Sequence, residues 1–112
     1  MGLTWYRDLY EGELIRARKG RLKEAVDRGD EALGVWLVMV PKEEERQLEL
    51  LPAKSMHRRE ARERCVLAAG IAFGRAEALR VVQRIVRDAA SDGMGDRPRE
   101  WLLEKNRNAG ET

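Results

Sequence analysis

The chain has 112 residues, of which 43% are apolar and 38% are charged. This length and composition predict a single folded domain and exclude a chain that is disordered throughout. The 22 basic residues exceed the 20 acidic residues by only two, so the overall charge gives no strong field for a polyanion. One cysteine and one histidine exclude an internal disulfide and a thiolate zinc site.

The N-terminal residues favour a cytoplasmic protein. Charged side chains fall within the first ten residues, and the apolar segment of a secretory signal is missing. The longest apolar run is about half the length that crosses a bilayer. We therefore expect a protein of the reducing cytoplasm that does not associate with membranes.

The first predicted element is a helix from Thr4, a suitable N-cap residue, to Asp30. Gly12 and Gly20 each weaken this helix by roughly 1 kcal/mol relative to alanine, so the helix is either continuous or broken. Its apolar residues share one face of the helical wheel. They are Leu14, Ile15, Leu22, Ala25 and Val26.

Residues 34–41 and 65–73 are apolar runs without polar alternation, and they predict strands that are covered on both faces. The 23 residues between them suffice for a helical crossover, so we expect the two strands to pair in parallel. Within this connection, residues 47–51 are either a short edge strand or irregular chain before Pro52. Residues 53–64 suit a polar helix.

The clearest predicted element is a helix over residues 75–91, whose apolar side chains cover about half of the wheel, as expected for a helix on a sheet. A glycine-containing turn follows up to Pro98, residues 101–103 dock a short last helix, and residues 106–112 form a disordered tail. The whole prediction is one α/β domain over residues 1–105. Its small, largely parallel sheet has two or three strands packed by helices, in the order α-β-(β)-α-β-α.

A first candidate site lies where the helix over 75–91 begins. Parallel strands would bring their carboxyl ends to one edge of the sheet, where open α/β sheets bind ligands. That edge would hold the acidic loop 43–45 and the turn at Gly74, whose free backbone N–H groups could bind an anion. Gly74, Arg75 and Glu77 are therefore a candidate site for a small phosphorylated ligand. Alternatively, Glu77 accepts the N–H of the cap residue Gly74 as half of a capping box.

Arginines supply a second candidate site, and they outnumber lysines by 17 to 5, as suits phosphate recognition. One group lies opposite the apolar face of the predicted 75–91 helix, and the other lies in residues 54–64, which carry a net charge of +3 (five basic, two acidic). We expect either group to contact nucleic acid or a protein partner. The residues are Arg80, Arg84 and Arg87 on the helix and Arg58 and Arg62 in the segment.

Acidic residues stand at helical spacings from the first group, so that Glu77 can pair with Arg80, and Asp88 with Arg84, to give a salt-bridged surface. Residues 29–53 carry a net charge of −4 (two basic, six acidic), opposite in sign to the segment that follows. Such polarity suits a protein partner or a second copy of the chain. Sheet edges offer a further surface for a homodimer.

The sequence lacks the common catalytic motifs, and no catalytic, metal or cofactor residue is assigned. His57 lies among arginines, and Cys65 begins a buried strand. The expected function is a non-catalytic accessory or protein-interaction domain. The alternatives are nucleic-acid binding through the arginines and phosphorylated-ligand binding at Gly74, and an enzyme that needs only carboxylates and arginines stays open.

Three segments, residues 5–13, 47–50 and 70–79, resemble a family of short uncharacterised bacterial proteins. The family shows a WY-x-DLY-x-GE opening, a hydrophobic strand and a GIA-x-G-x-x-EAL turn from strand to helix. The resemblance covers most of the chain, with departures at residues 41–46 and at Phe73. It implies a bacterial protein and no assigned activity.

Overall fold

The computed structural model describes residues 3–16, 19–28 and 34–109. No helix in these ranges is long and apolar enough to cross a membrane. The strands are β1 (Trp5–Glu11), β2 (Val35–Pro41), β3 (Glu49–Pro52) and β4 (Cys65–Phe73). The helices are α1 (Lys19–Asp27), α2 (Arg59–Glu63), α3 (Arg75–Ser91) and α4 (Pro98–Ala109), with a 3-10 helix over Ala53–His57 before α2.

The four strands form one open sheet in the order β1-β4-β2-β3. Strand β1 is parallel to β4, whereas β2 is antiparallel to both of its neighbours, β4 and β3. The α/β class is therefore confirmed. The sheet is mixed rather than largely parallel, because one of its three strand pairs is parallel.

The parallel pairing predicted for β2 and β4 is wrong. Val35 lies opposite Phe73, and Pro41 lies opposite Cys65, so the two strands run in opposite directions. The chain reverses once more than expected, because β3 forms an antiparallel pair with β2. The predicted edge strand thus exists, and the crossover leads from β3 to β4, which lie on either side of β2. A 3-10 helix and the short helix α2 form this crossover where a single helix was predicted.

The helix predicted from Thr4 to Asp30 is wrong at its beginning, where β1 lies, and only Lys19–Asp27 is helical. Trp5 lies opposite Ala68, and Tyr10 lies opposite Gly70. Strand β1 therefore advances five residues over a stretch in which its partner β4 advances only two. Two exposed residues, at positions 7 and 8, interrupt the alternation of this irregular strand. The apolar residues on either side of them stand four apart, which imitates a helical period.

Helices cover both faces of the sheet, as predicted for its two apolar strands. On one face, α3 and α4 place Val81, Ile85 and Leu102 against Val38 and Val40 of β2. The opposite face is covered by α1, the 3-10 helix and α2. There the buried side chains include Ile15, Val26, Leu37, Met56 and Ile71.

Helix α3 approaches β4 closely at Gly70. A Cβ atom at this position would lie 2.7 Å from Cγ1 of Val81 and 3.4 Å from the side chain of Val38. Ala69 is an extra residue of β4 here, because Gly70 faces Val38 and Ala68 faces the next residue of β2. The missing side chain therefore lets the helix pack directly on the bulged strand.

Helix α3 has the predicted bounds, and the short last helix is confirmed and is longer than expected. Residues 106–109 belong to α4 rather than to a tail, and residues 110–112 lie outside the described part of the chain. Asn106 Oδ1 accepts the N–H of Arg7 at 3.1 Å, which fastens the end of α4 to the edge strand β1.

A buried arginine, Arg99, fastens the beginning of α4 to the loop after β2, and only 7% of its surface is exposed. Its guanidinium donates to the carbonyl oxygens of Pro41 at 2.8 Å and Lys42 at 2.9 Å. It also donates to Oε2 of Glu100 at 2.5 Å. Gln47 completes the network, because it accepts the N–H of Arg99 at 3.1 Å and donates to Glu100 Oε1 at 3.3 Å. Arg99 is not among the residues predicted for either candidate site.

Candidate functional site

The antiparallel pairing of β2 and β4 separates the two parts of the predicted ligand edge. The acidic loop 43–45 follows Pro41, next to Cys65, whereas Gly74 lies at the opposite end of the sheet beside Gly34. Gly74 has a φ of +81°, a conformation that favours glycine. Its N–H donates to the Gly34 carbonyl at 2.7 Å, so this group is not open to an anion.

Glu77 is a buried carboxylate that joins the ends of β1 and β4 to α3, with only 6% of its surface exposed. Its Oε2 accepts the N–H of Phe73 at 2.7 Å, and its Oε1 accepts the N–H of Leu14 at 3.1 Å. The capping box predicted with Gly74 does not form, because the carboxylate takes the N–H one residue earlier. A Cβ atom on Gly12 would overlap the Glu77 carboxylate, so glycine makes room for it.

A cleft of about 450 Å³ lies between the end of β1 and the first turns of α3. It is at the carboxyl end of the one parallel strand pair. The cleft brings together three residues that the sequence placed in two separate sites. Its lining residues are Gly12, Glu13, Glu77, Arg80, Val81 and Arg84.

Two of the segments that carry the family resemblance, residues 5–13 and 70–79, meet at this cleft. Gly12, Glu13 and Tyr10 are not among the predicted site residues. They belong to the WY-x-DLY-x-GE segment, which could have indicated them. The helix predicted for this segment orients its side chains differently from the strand β1 that forms there.

A hydrogen-bonded group of side chains joins β1 to the middle of α3. Arg84 Nη1 donates to the carbonyl oxygen of Glu11 at 2.8 Å, and its guanidinium lies 5.5 Å from the centroid of the Tyr10 ring. The Tyr10 hydroxyl donates to Oδ2 of Asp88. The ring of Tyr6 stacks on that of Tyr10 at 6.3 Å between centroids. Asp88 is therefore directed toward β1 instead of toward its own helix.

The predicted ion pairs of Glu77 with Arg80 and of Asp88 with Arg84 do not form, because both acids have partners on or beside the strands. Arg80 and Arg87 are exposed. Of the carboxylates in the described ranges, none lies within 4.0 Å of either guanidinium. Helix α3 thus presents uncompensated positive charge beside the cleft.

Burial and the hydrogen bond to Asp88 raise the pKa of Tyr10 above its ordinary value of 10.0. Above this pH the unfolded chain ionises Tyr10 while the folded chain keeps the proton, so stability falls as pH rises. When Tyr10 is fully ionised in the unfolded chain and fully protonated in the folded chain, the free energy of unfolding falls by about 1.4 kcal/mol per pH unit. We expect roughly 0.5 kcal/mol per unit from Tyr10, because the residue is partly exposed and solvent screens it.

Urea unfolding of the wild type and of Tyr10→Phe between pH 9 and 11 measures this slope. The variant should lose stability less steeply, and the remaining slope includes Tyr6, whose pKa is also raised by burial. Between pH 6 and 8 the two proteins should show parallel curves. Equal slopes above pH 10 would contradict the assignment.

Arg58 and Arg62 do not join the arginines of α3, because they lie at the other end of the sheet, around α2. Arg58 is exposed, and Arg62 Nη1 donates to the Met56 carbonyl at 2.5 Å. Near them the oppositely charged segments meet. Oε1 of Glu49 lies 3.9 Å from Nη2 of Arg64 and 3.8 Å from Nη1 of Arg46.

Among residues 3–16, 19–28 and 34–109, no three or more His, Cys, Asp or Glu side chains are grouped to hold a metal ion. Comparison of the chain with protein-family models, curated proteins and solved structures found no match. The resemblance to the bacterial family therefore stays a prediction. What the site can bind must be inferred from its own geometry.

Proposed function

We propose that this protein is a non-catalytic interaction domain that binds an acidic, partly apolar segment of another protein along α3 and the β1–α3 cleft. The observation that carries the proposal is the row of arginines whose expected acidic partners are bound elsewhere. Arg80, Arg84 and Arg87 succeed one another at spacings of four and three residues, so they lie along one side of α3.

The arginine row is suited to carboxylates. Arginine binds carboxylates through two parallel hydrogen bonds and is enriched at protein interfaces. Arg80 and Arg87 are exposed, while Arg84 is held in place by Glu11 and Tyr10. A rigid central cation between two free ones offers a partner a preorganised surface.

An exposed apolar side chain is available on the chain that leaves the cleft. Leu14 is 71% exposed, and its N–H donates to Glu77, which lines the cleft together with Arg80 and Arg84. An exposed leucine in the segment next to this cleft matches a partner segment that has both carboxylates and apolar side chains. Nucleic acid would make no use of this leucine. The N–H of Gly74 is bonded to the Gly34 carbonyl, which disfavours a small phosphate ligand at this turn.

Binding of fluorescent probes tests the proposal. The first probe is a labelled peptide of alternating glutamate and leucine, and the second is a labelled oligothymidine of similar charge. We expect the wild type to bind the peptide more tightly than the oligonucleotide. Arg80→Glu/Arg87→Glu should weaken peptide binding at least tenfold, about 1.4 kcal/mol.

The matched control is Arg97→Glu/Arg107→Glu, which makes the same change in net charge at two exposed positions outside the cleft. It should leave peptide binding within twofold of the wild type. Equal losses in the two double variants would show nonspecific attraction and overturn the proposal. Tighter binding of the oligonucleotide would instead support nucleic-acid binding through the same arginines.

The homodimer expected from the sequence belongs to the same proposal, because a second copy is one protein partner. Light scattering at high micromolar concentration measures the mass directly, and a monomer under these conditions would remove the dimer from the proposal. A bacterial source and a cytoplasmic location rest on the sequence alone.

A further inference from the structure

A second cleft, of about 430 Å³, lies at the opposite end of the sheet from the arginine row of α3. It opens between α2 and the first residues of β1 and β4. Its lining combines apolar side chains, among them Met39, Cys65 and Val66, with a mostly cationic rim.

The floor of this cleft is apolar. Met39 and Cys65 are 1% and 7% exposed, and Val66, at 37%, extends the apolar surface outward. Burial raises the pKa of the Cys65 thiol, so this side chain is neutral near pH 7. The floor is therefore suited to a hydrocarbon group and offers it no charge.

The rim of the cleft is cationic. It carries Lys42, Arg59 and Arg62 against one acid, Glu63, a net charge of +2. Arg59 Nε lies 2.7 Å from Glu63 Oε1, while the bond from Arg62 Nη1 to Met56 fixes the guanidinium in place. Lys42 makes no ion pair with a carboxylate in the described ranges. Positive charge thus remains above the apolar floor.

We propose that this cleft binds a small organic carboxylate with an aliphatic chain of about eight carbons. Small-molecule sites occupy roughly 300–1,000 Å³ and combine apolar walls with a few polar groups. At roughly 30 Å³ per water, the cleft corresponds to about 14 water molecules, which leaves room for an acid of about ten non-hydrogen atoms. The carboxylate lies at Lys42 and Arg59, and the chain lies along Met39, Cys65 and Val66. This site is separate from the proposed protein interface.

Three probe molecules separate the two halves of the proposed ligand. Octanoate carries both halves, octanamide lacks the charge, and acetate lacks the chain. We expect octanoate, below its micelle concentration, to raise the melting temperature, octanamide to bind at least tenfold more weakly, and acetate to have no effect.

Lys42→Gln/Arg59→Gln removes two rim charges from exposed positions and should weaken octanoate binding at least tenfold. Lys54→Gln/Arg58→Gln changes the net charge equally outside the cleft and should bind octanoate like the wild type. Two results would each overturn the site: octanamide binding as tightly as octanoate, or equal losses in both double variants. Neither of these results bears on peptide binding at α3.

Discussion

Replacing Arg99 with alanine should lower the free energy of unfolding by about 3 kcal/mol. Alanine leaves the carbonyl oxygens of Pro41 and Lys42 without their donor and Glu100 without its buried cation. Glu100 is partly exposed, so water takes over some of its interactions and limits the loss. The melting temperature should fall by roughly 10–15 °C.

Arg99→Lys separates the contribution of the charge from that of the forked guanidinium. Lysine keeps the charge but cannot reach two carbonyl oxygens and a carboxylate in one plane, so we expect at least half of the alanine effect. Arg97→Ala, at an exposed neighbour, should stay within about 0.5 kcal/mol of the wild type. Urea unfolding measures all three variants. If Arg99→Ala matched Arg97→Ala, the network would not stabilise the fold.

Glu77→Ala should lower the free energy of unfolding by about 3 kcal/mol, because the buried side chain is lost and two partly buried N–H groups, those of Phe73 and Leu14, lose their acceptor. Glu77→Gln should cost about 2 kcal/mol, since the amide can accept from one N–H but places its own NH₂ against the other. Glu13→Gln is the control, because Glu13 is exposed and lines the same cleft. Urea unfolding that ranked Glu77→Gln with this control would contradict the bonds assigned to Glu77.

Gly12→Ala tests the same contact from the other side. The added methyl group falls on the Glu77 carboxylate and must displace it from its two donors. We expect a loss close to that of Glu77→Ala. In the Glu77→Ala background, Gly12→Ala should cost less than half as much, because the carboxylate is no longer there to be displaced. Additive losses in the double variant would show that the two residues act separately.

Elements with a long and regular pattern could be predicted from the sequence. Helix α3 has 17 residues with a repeated apolar face, and its predicted ends agree with the structure. The apolar runs of β2 and β4 indicated strands covered on both faces. The sequence did not predict strand β1. Its side chains alternate between the two faces of the sheet only at its ends, on either side of Arg7 and Asp8. The resulting four-residue spacing of its apolar side chains favours a helix.

Strand direction and long-range polar contacts are not contained in local spacing. An apolar run has the same pattern in either direction, so the parallel pairing of β2 and β4 rested on the length of the connection alone. The bonds of Arg99 join residues 52–58 positions apart, and the bond from Leu14 to Glu77 spans 63 positions. The same limit applies to the candidate site, whose residues lie on two strand ends and one helix.

The strand order has a consequence for the chain as it leaves the ribosome. Strand β4 pairs with both β1 and β2, and it follows both of them in the chain. A nascent chain that ends before Cys65 therefore contains only the β2–β3 pair of the described sheet. Strand β1 has no partner strand until β4 has been synthesised. Synthesis of nine further residues supplies the central strand that unites both halves.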